Sequence, residues 1–235
     1  MSNSQFPNPK LVIFDCDGVL IDSEFLGCKV VSEALATIGH HITVEEVVRR
    51  FTGISFNEMC RILREEKGIN PPPELEDLIK KNVQAAFETD LKAIEGAADF
   101  VSQLGIPYCV ASSSAPSKLR LGLEITGLLH AFEPNVFSAT LVPNGKPAPD
   151  IFLYAAKQMG VAPGDAIVVE DSIAGVTAGV SAGMRVIGFV GGSHCGPDHA
   201  AMLRQAGALM VVSDLAEIFP QLNLMPRPQK ASLES

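Results

Sequence analysis

The sequence of 235 residues has little positive charge. Eighteen lysines and arginines stand against 27 acidic residues, which gives a formal net charge of −9. That balance repels polyanions, so we expect no nucleic-acid partner. Apolar stretches stay far below the length of a membrane span, and the first residues, MSNSQFPNPK, lack a basic segment followed by an apolar run. We therefore expect no signal peptide, no membrane association and a cytoplasmic protein.

The sequence also lacks paired cysteines. Its five cysteines are scattered and form no Cys-x-x-Cys pair, which predicts a reducing compartment with neither a disulfide framework nor a zinc site. The remaining composition, 47% hydrophobic and 19% charged, is typical of a globular protein. The length fits one large domain, or one domain with a smaller inserted one. We expect a monomer, although the sequence is silent on oligomeric state.

Short apolar runs alternate with helical patterns along most of the chain. The apolar runs are residues 11–14, 107–111, 166–169, 185–190 and 208–212. The helical patterns between them are residues 97–104, 116–124, 150–159 and 173–182. Alternation of buried strands with helices predicts an α/β fold, a doubly wound parallel sheet with a Rossmann-like core. In such sheets, ligands bind at the carboxyl ends of the strands.

Residues 23–88 break this alternation. They contain no convincing strand and carry four amphipathic patterns, separated by glycines and by the loop GINPPP. We therefore predict a catalytic core formed by residues 1–22 and 89–235, with a small α-helical domain inserted at residues 23–88. An insertion directly after the first strand is expected to cover the strand ends as a cap.

Two aspartates follow the first predicted strand, in the segment DCDGVLID. Residues two apart in extended backbone point to the same side, so Asp15 and Asp17 can face one pocket. Close carboxylates repel each other unless a cation lies between them, and hard oxygen ligands favour Mg²⁺. The alternative is a turn with two solvated aspartates.

A second acidic pair, Glu170 and Asp171, directly follows the apolar run AIVV. Adjacent acids at the end of a buried strand are costly unless they bind a cation or cap a helix. Because Ser172 is the expected N-cap of the next helix, the two acids need another purpose. Two solvated loop acids are the alternative interpretation.

A hydroxyl and a lysine stand at further strand ends and helix starts. Ser112 directly follows the run PYCVA and precedes Ser113, where free amides at the next helix can donate to phosphate oxygens. Helix capping alone would also explain these serines. Lys146 lies between a glycine and two prolines, which fix the approach of the chain and favour a positioned counter-charge over a mobile lysine.

Taken in this order, the motifs DCDGVLIDS, VASSS, GKPAPD and VVEDSIAGVTAG resemble those of the haloacid dehalogenase superfamily, in its β-phosphoglucomutase and phosphoglycolate phosphatase-like branch with a helical cap. The resemblance spans about residues 10 to 220. It implies that Asp15 is a nucleophile forming an aspartyl phosphate and that Asp17 is the general acid and base. It assigns Mg²⁺ to the Asp15 carboxylate, the Asp17 backbone carbonyl, Glu170 and Asp171. It assigns the phosphoryl oxygens to Ser112, Lys146 and the Ser113 amide.

The resemblance also bears on the reaction. Asp17 is absent from dehalogenases of the superfamily, so its presence favours phosphate esters. Mutases of the β-phosphoglucomutase type carry a histidine where this chain has Gly27, and basic residues where it has none after Gly53. We therefore expect a phosphatase of a small phosphorylated metabolite, a sugar or sugar-acid phosphate as in 6-phosphogluconate phosphatases. A sugar-phosphate mutase is the alternative.

A signalling receiver is a weaker alternative for the function, and His194 is a weaker candidate for the site. A phospho-accepting signalling receiver also uses acids, a hydroxyl, a lysine and Mg²⁺. Receivers, however, are shorter, lack a helical insertion and accept phosphate in the middle of the sheet sequence, whereas this chain has its Asp-x-Asp motif at the first predicted strand. The loop GGSHCGPDH follows a predicted strand, so it can border the site. Within it, His194 is either a substrate contact or an ordinary loop residue.

Overall fold

The computed structural model describes residues 8–221, which contain one six-stranded sheet. All five strand pairings are parallel, and the order across the sheet is β3-β2-β1-β4-β5-β6. The strands are β1 (Leu11–Phe14), β2 (Tyr108–Ser112), β3 (Val136–Ser138), β4 (Ala166–Glu170), β5 (Arg185–Phe189) and β6 (Met210–Val212). This doubly wound order confirms the predicted α/β class and makes β1 the strand at which the order reverses.

Eleven α-helices accompany the sheet within the described residues. They are α1 (Ser23–Thr37), α2 (Val44–Phe51), α3 (Phe56–Lys67), α4 (Glu74–Asp90), α5 (Ala97–Gln103), α6 (Pro116–Ile125), α7 (Leu129–Phe132), α8 (Asp150–Gln158), α9 (Ile173–Ser181), α10 (His199–Ala206) and α11 (Ile218–Gln221). Short 3₁₀ turns lie at Ala139–Leu141, Pro163–Asp165 and Leu215–Glu217. None of these helices is both long and apolar enough to cross a membrane.

Strand β1, which leads to Asp15, lies between β2 and β4 and pairs with both. Ile13 lies opposite Cys109 of β2 on one side and Val168 of β4 on the other. All four residues of β1 are fully buried, as a strand covered on both faces requires. The Asp15 amide still donates to the Val169 carbonyl at 2.9 Å, so the pairing continues one residue beyond the strand.

Contacts within the chain divide it into two compact units. One is Asp22–Lys92, which contains α1 to α4 and no strand, and the other contains the whole sheet. Capping explains the helix limits in the first unit: Thr43 and Ser55 accept from the amides three residues on, and Gly68 ends α3 in a left-handed conformation. Its own apolar core includes Leu35, Val47, Phe51, Met59, Leu63 and Leu75. The role of this unit as a cap stays a prediction.

The sheet-containing unit has a separate core in which β1 and β4 pack against α8 and α9. Small residues permit that packing: a Cβ at Gly179 of α9 would run into the side chain of Val186, with Val168 close behind. Gly183, at φ 71°, follows α9 and ends the helix in a left-handed conformation.

Four elements were not anticipated from the sequence: the strand β3 and the helices α7, α10 and α11. β3 has only three residues, two of them part-exposed at the sheet edge, so no continuous apolar run marks it. α10 begins at His199, inside the segment interpreted as a loop, and buries only Leu203 fully. Hydrophobic periodicity is weak in such edge elements, because most of their side chains face away from the core.

Candidate active site

Parallel strands bring their carboxyl ends to one edge of the sheet, and four neighbouring strands supply the polar side chains there. Asp15 follows β1, Ser112 ends β2, Glu170 ends β4, and the loop carrying His194 follows β5. Lys146 reaches the same edge from the segment before α8. The strand order therefore assembles residues that are up to about 180 positions apart in the sequence.

Three carboxylates form a compact acidic cluster at this edge. One ligand oxygen from each of Asp15, Glu170 and Asp171 lies within 4.8 Å of the other two. All three residues are buried, with exposed fractions of 7%, 1% and 4%. Burial of several carboxylates together is expensive without cations, so this edge is built for positive charge.

Lys146 supplies part of that charge. Its Nζ lies 2.5 Å from Asp15 Oδ1 and 2.6 Å from Glu170 Oε1, and only 4% of its side chain is exposed. The ammonium also lies 4.8 Å from the centre of the Phe152 ring, a cation–π distance. The rigidly held lysine that the sequence predicted is therefore found between two of the expected acids.

The protonation of the cluster follows from this crowding. Burial raises the pKa of Asp15 well above its ordinary value; Lys146 acts against the shift, while Glu170 and Asp171 add to it. Burial by itself would lower the pKa of Lys146, but Asp15 and Glu170 outweigh it and the net shift is upward. The lysine therefore stays charged, while burial favours the protonated form of Asp15.

Two glycines make room for the acids. Gly18 has φ 80°, which favours glycine, and a Cβ there would collide with the Asp171 carboxylate. A Cβ at Gly175, in the first turn of α9, would collide with the Glu170 carboxylate. Both carboxylates thus occupy space that any other residue at these glycines would take.

Glu170 is tied to the start of α9 as well as to the cluster. Its Oε2 accepts from the Ser172 amide at 2.8 Å and from the Ser172 hydroxyl at 3.0 Å. Ser172 in turn accepts from the Gly175 amide at 3.0 Å and is the helix N-cap, as the sequence predicted. One oxygen of Glu170 therefore anchors the side chain to the helix while the other faces Lys146.

The Asp17 side chain takes a different direction from the acidic cluster. Its Oδ2 accepts from the Ser114 hydroxyl at 2.6 Å, and its Oδ1 lies 3.1 Å from Lys118 Nζ in α6. Ser112 Oγ lies 3.5 Å from the same Oδ2, at the long limit for a hydrogen bond. Ser114 and Lys118 were not identified from the sequence, because neither belongs to a local pattern of acids.

The serines after β2 form a polar turn before α6. Ser112 is buried, and its hydroxyl accepts from the Ser114 amide at 3.0 Å. Ser113 is exposed. The Ser114 carbonyl accepts from the hydroxyl of Ser138, which ends β3. This turn places the hydroxyls of Ser112 and Ser114 beside the Asp17 carboxylate.

Two histidines hold Asp171 from the side of β5. His194 Nε2 lies 2.9 Å from Asp171 Oδ2, and His199 Nε2 lies 2.5 Å from the Asp171 backbone oxygen. His194 is 5% exposed. Neither the substrate-contact nor the ordinary-loop interpretation predicts this contact. The residues of GGSHCGPDH give no indication of a contact with an aspartate more than 20 residues earlier in the sequence. The strand order that places β5 beside β4 is the only available signal.

The acidic cluster suits a divalent cation by its donor set. Three buried carboxyl groups lie beside the ammonium of Lys146, so acidic groups are in excess at this edge. All donors are carboxylate oxygens, the ligands preferred by Mg²⁺ and Ca²⁺ over soft metals. Asp15, Glu170 and Asp171 are therefore the residues that fit such an ion.

Comparisons with known proteins agree with this site. A family model described as haloacid dehalogenase-like hydrolase matches residues 9–183. The chain is 34% identical to the 6-phosphogluconate phosphatase of Escherichia coli over 79% of this chain and 85% of that protein. It is 38% identical to a β-phosphoglucomutase of Mycobacterium tuberculosis, over 61% of this chain and 53% of that one.

Solved structures show the same architecture. A haloacid dehalogenase-like protein of unknown function from Agrobacterium tumefaciens matches with a TM-score of 0.84 and 40% identity, over 89% of this chain and 95% of that one. A hydrolase of the family from Deinococcus radiodurans, solved with bound phosphate and sodium, matches with a TM-score of 0.83 and 33% identity, over 95% and 99%. The chain belongs to the haloacid dehalogenase-like hydrolase family and is a phosphoric monoester hydrolase.

Proposed function

We propose that this protein hydrolyses the phosphate ester of a small sugar or sugar acid, with Mg²⁺, through an aspartyl phosphate on Asp15. The observation that carries the proposal is a buried aspartate at the central strand end, paired with Lys146 inside a cluster of excess negative charge. Phosphoryl transfer depends mainly on positioning and on neutralisation of charge, and this cluster provides for both.

Asp15 is the nucleophile in this proposal. Its carboxylate oxygen attacks phosphorus, the bond from phosphorus to the ester oxygen breaks, and an acyl phosphate forms. Lys146 fixes one oxygen of the carboxylate at 2.5 Å, which limits rotation of the side chain. The main-chain hydrogen bond from Asp15 to Val169 holds the backbone from which the side chain projects.

Asp17 transfers the proton in both halves of the reaction. As the acid it gives a proton to the departing alcohol oxygen; as carboxylate it then takes a proton from the water that attacks the acyl phosphate. That second attack breaks the phosphorus–oxygen bond to Asp15 and releases inorganic phosphate. Ser114 contacts one oxygen of the Asp17 carboxyl group and Lys118 contacts the other, which fixes the position of the group.

The remaining residues bind the ion and the phosphoryl group. Mg²⁺ would be held by the carboxylates of Asp15, Glu170 and Asp171 and by the Asp17 backbone carbonyl. When bound, it supplies positive charge that offsets the negative phosphoryl oxygens. Lys146, the Ser112 hydroxyl and the Ser113 amide would hold those oxygens, consistent with the burial of Ser112 and the exposure of Ser113.

The substrate class is inferred from the relatives. The 6-phosphogluconate phosphatase of Escherichia coli is named for a sugar-acid phosphate. The region similar to this chain covers most of both proteins. The β-phosphoglucomutase similarity keeps a mutase as the competing reaction. Both share the first half-reaction on an aspartate, so the distinguishing event is the acceptor of the phosphoryl group: water or a second sugar hydroxyl.

A substrate panel with Mg²⁺ tests the proposal. Phosphate release should be measured from p-nitrophenyl phosphate, 6-phosphogluconate, hexitol phosphates and β-glucose 1-phosphate, with Asp15→Asn as the inactive comparison. We expect release from at least one sugar-acid or sugar phosphate, and a loss of at least about 10³-fold in Asp15→Asn. Conversion of β-glucose 1-phosphate into glucose 6-phosphate without release of phosphate would instead establish the mutase.

A further inference from the structure

The loop after β5 and the start of α10 bring three metal-ligating side chains together outside the acidic cluster. One ligand atom from each of His194, Cys195 and His199 lies within 4.8 Å of the other two. The absence of a Cys-x-x-Cys pair predicts no zinc site. The pattern His-Cys-x-x-x-His is a different set of possible ligands, and the turn into α10 brings its three side chains together.

Both imidazoles are already oriented by Asp171. His199 Nε2 faces the Asp171 backbone oxygen, which can only accept, and His194 Nε2 faces the Asp171 carboxylate. Each Nε2 is therefore assigned the hydrogen, and in the neutral ring this leaves Nδ1 with the lone pair. Histidines that ligate metals usually donate their second ring nitrogen to a carboxylate or a backbone carbonyl.

Cys195 completes the set with a soft ligand. It is a free, part-exposed thiol whose Sγ lies 3.4 Å from His194 Nε2 and 4.0 Å from His194 Nδ1. The two imidazole rings stand nearly perpendicular, with centroids 5.5 Å apart. Ligands at Zn–S and Zn–N bond lengths in a tetrahedron are about 3.6 Å apart. The Nδ1–Sγ distance of 4.0 Å is close to this value, and binding through Nδ1 also needs the His194 ring to turn, because Sγ now lies nearer Nε2.

We propose that His194, Cys195 and His199 form a site for Zn²⁺, bound by the two Nδ1 atoms and the Cys195 thiolate, with a fourth position for water. Imidazole and thiolate ligands select zinc over magnesium, which prefers oxygen. Binding releases the thiol proton to solvent. Part-exposed Cys195 and His199 give the ion a path from solvent.

The zinc site is coupled to the acidic cluster through Asp171. A metal on Nδ1 polarises the opposite N–H, which strengthens its hydrogen bond to the Asp171 carboxylate and makes that carboxylate a weaker ligand. Repulsion between two divalent ions on either side of one aspartate acts in the same direction. Zinc should therefore weaken Mg²⁺ binding, and Mg²⁺ should weaken zinc binding by the same factor. This coupling, unlike the zinc site itself, rests on the proposed function.

Cobalt titration tests the site directly. Reduced, EDTA-treated full-length protein should bind one Co²⁺ with a thiolate-to-cobalt charge-transfer band, and zinc should displace it. Cys195→Ser should remove the band and weaken binding at least about tenfold, while Cys60→Ser, at another part-exposed cysteine, should change neither. A spectrum without the thiolate band, or one retained in Cys195→Ser, overturns the site.

Calorimetry without substrate tests the coupling. Mg²⁺ affinity should fall about fivefold or more when one equivalent of zinc is bound to the native protein. It should not fall in Cys195→Ser, which retains the acidic cluster. Equal Mg²⁺ affinities with and without zinc overturn the coupling. Absence of Mg²⁺ binding altogether, beside an intact cobalt band, counts against the proposed function and leaves the zinc site standing.

Discussion

Lys146 and Arg61 make almost identical ion pairs in two different environments. Lys146, in the sheet-containing unit, lies 2.5 Å from Asp15 and 2.6 Å from Glu170. Arg61, in the helical unit, lies 2.5 Å from Glu65 and 2.6 Å from Glu58. Only 4% of the Lys146 side chain is exposed, against 52% of that of Arg61.

Burial rather than distance gives these pairs their consequences. Water screens the Arg61 pairs and would solvate each partner without the other, so they stabilise the fold little. In the acidic cluster, each charge has lost its water and depends on its protein partners. The short distances in the helical unit come from neighbouring positions of Arg61, Glu58 and Glu65 on α3. The pairs of Lys146 instead influence the pKa of Asp15 and of Lys146 itself.

Removal of the buried cation is expected to have the largest effect. Lys146→Met leaves two buried carboxylates without their ammonium, and we expect a loss of about 3–5 kcal/mol in the free energy of unfolding in EDTA. Urea denaturation followed by circular dichroism measures it. Added Mg²⁺ should recover part of the loss, because the ion supplies positive charge to the same carboxylates. A loss no larger than that of an exposed lysine variant would show that burial does not govern these pairs.

The raised pKa of Asp15 predicts a second, smaller effect in the metal-free protein. Between the ordinary carboxyl pKa of about 3.9 and the raised one, the folded state holds a proton that the unfolded chain has lost. Stability therefore falls as pH rises through that window, by at most about 1.4 kcal/mol per pH unit from this group.

Urea unfolding in EDTA at several pH values above 4 measures this dependence. Asp15→Asn lacks the titrating group, so its stability should decline less steeply over the same range. Parallel curves for the native protein and Asp15→Asn would contradict the raised pKa. The other carboxyl groups titrate in both proteins, so the difference between the curves isolates Asp15.

The smallest effect is expected at the exposed pairs. Arg61→Gln removes both of its ion pairs, yet its partners remain in water, so the urea midpoint should shift by little more than the error of measurement. Glutamine keeps the helix propensity of α3 similar, which makes this the matched comparison for Lys146→Met. A destabilisation equal to that of Lys146→Met would remove the distinction between the two environments.

Sequence reasoning reached much of the fold because local pattern and topology agree. The limits of β1 match the predicted range, since a continuous apolar run is a strong local signal. The parallel sheet followed from the alternation, and it brought Lys146 to Asp15 across more than 130 residues. β3 was missed because a short edge strand has no such pattern.

The sequence predicted only those residues of the candidate site that are unusual in their local sequence. The acids after β1 and β4 and the lysine between prolines are unusual in their local context. Ser114 and Lys118 are ordinary residues of a helix start, and only the fold turns them toward Asp17. The hold of His194 on Asp171 likewise depends on the adjacency of β4 and β5, which no segment of sequence encodes alone. The catalytic roles of all these residues stay predictions.

The short length of β1 leaves this protein little tolerance for insertions or deletions near its start. Successive residues of a strand point to opposite faces. With the strand pairing unchanged, a deletion in β1 would put Cys16, and an insertion Phe14, where Asp15 now stands. Pairing on both sides leaves β1 no free edge at which to absorb such a shift. Random single-residue insertions between residues 11 and 15 should therefore be among the rarest survivors in a library selected for a folded, active protein.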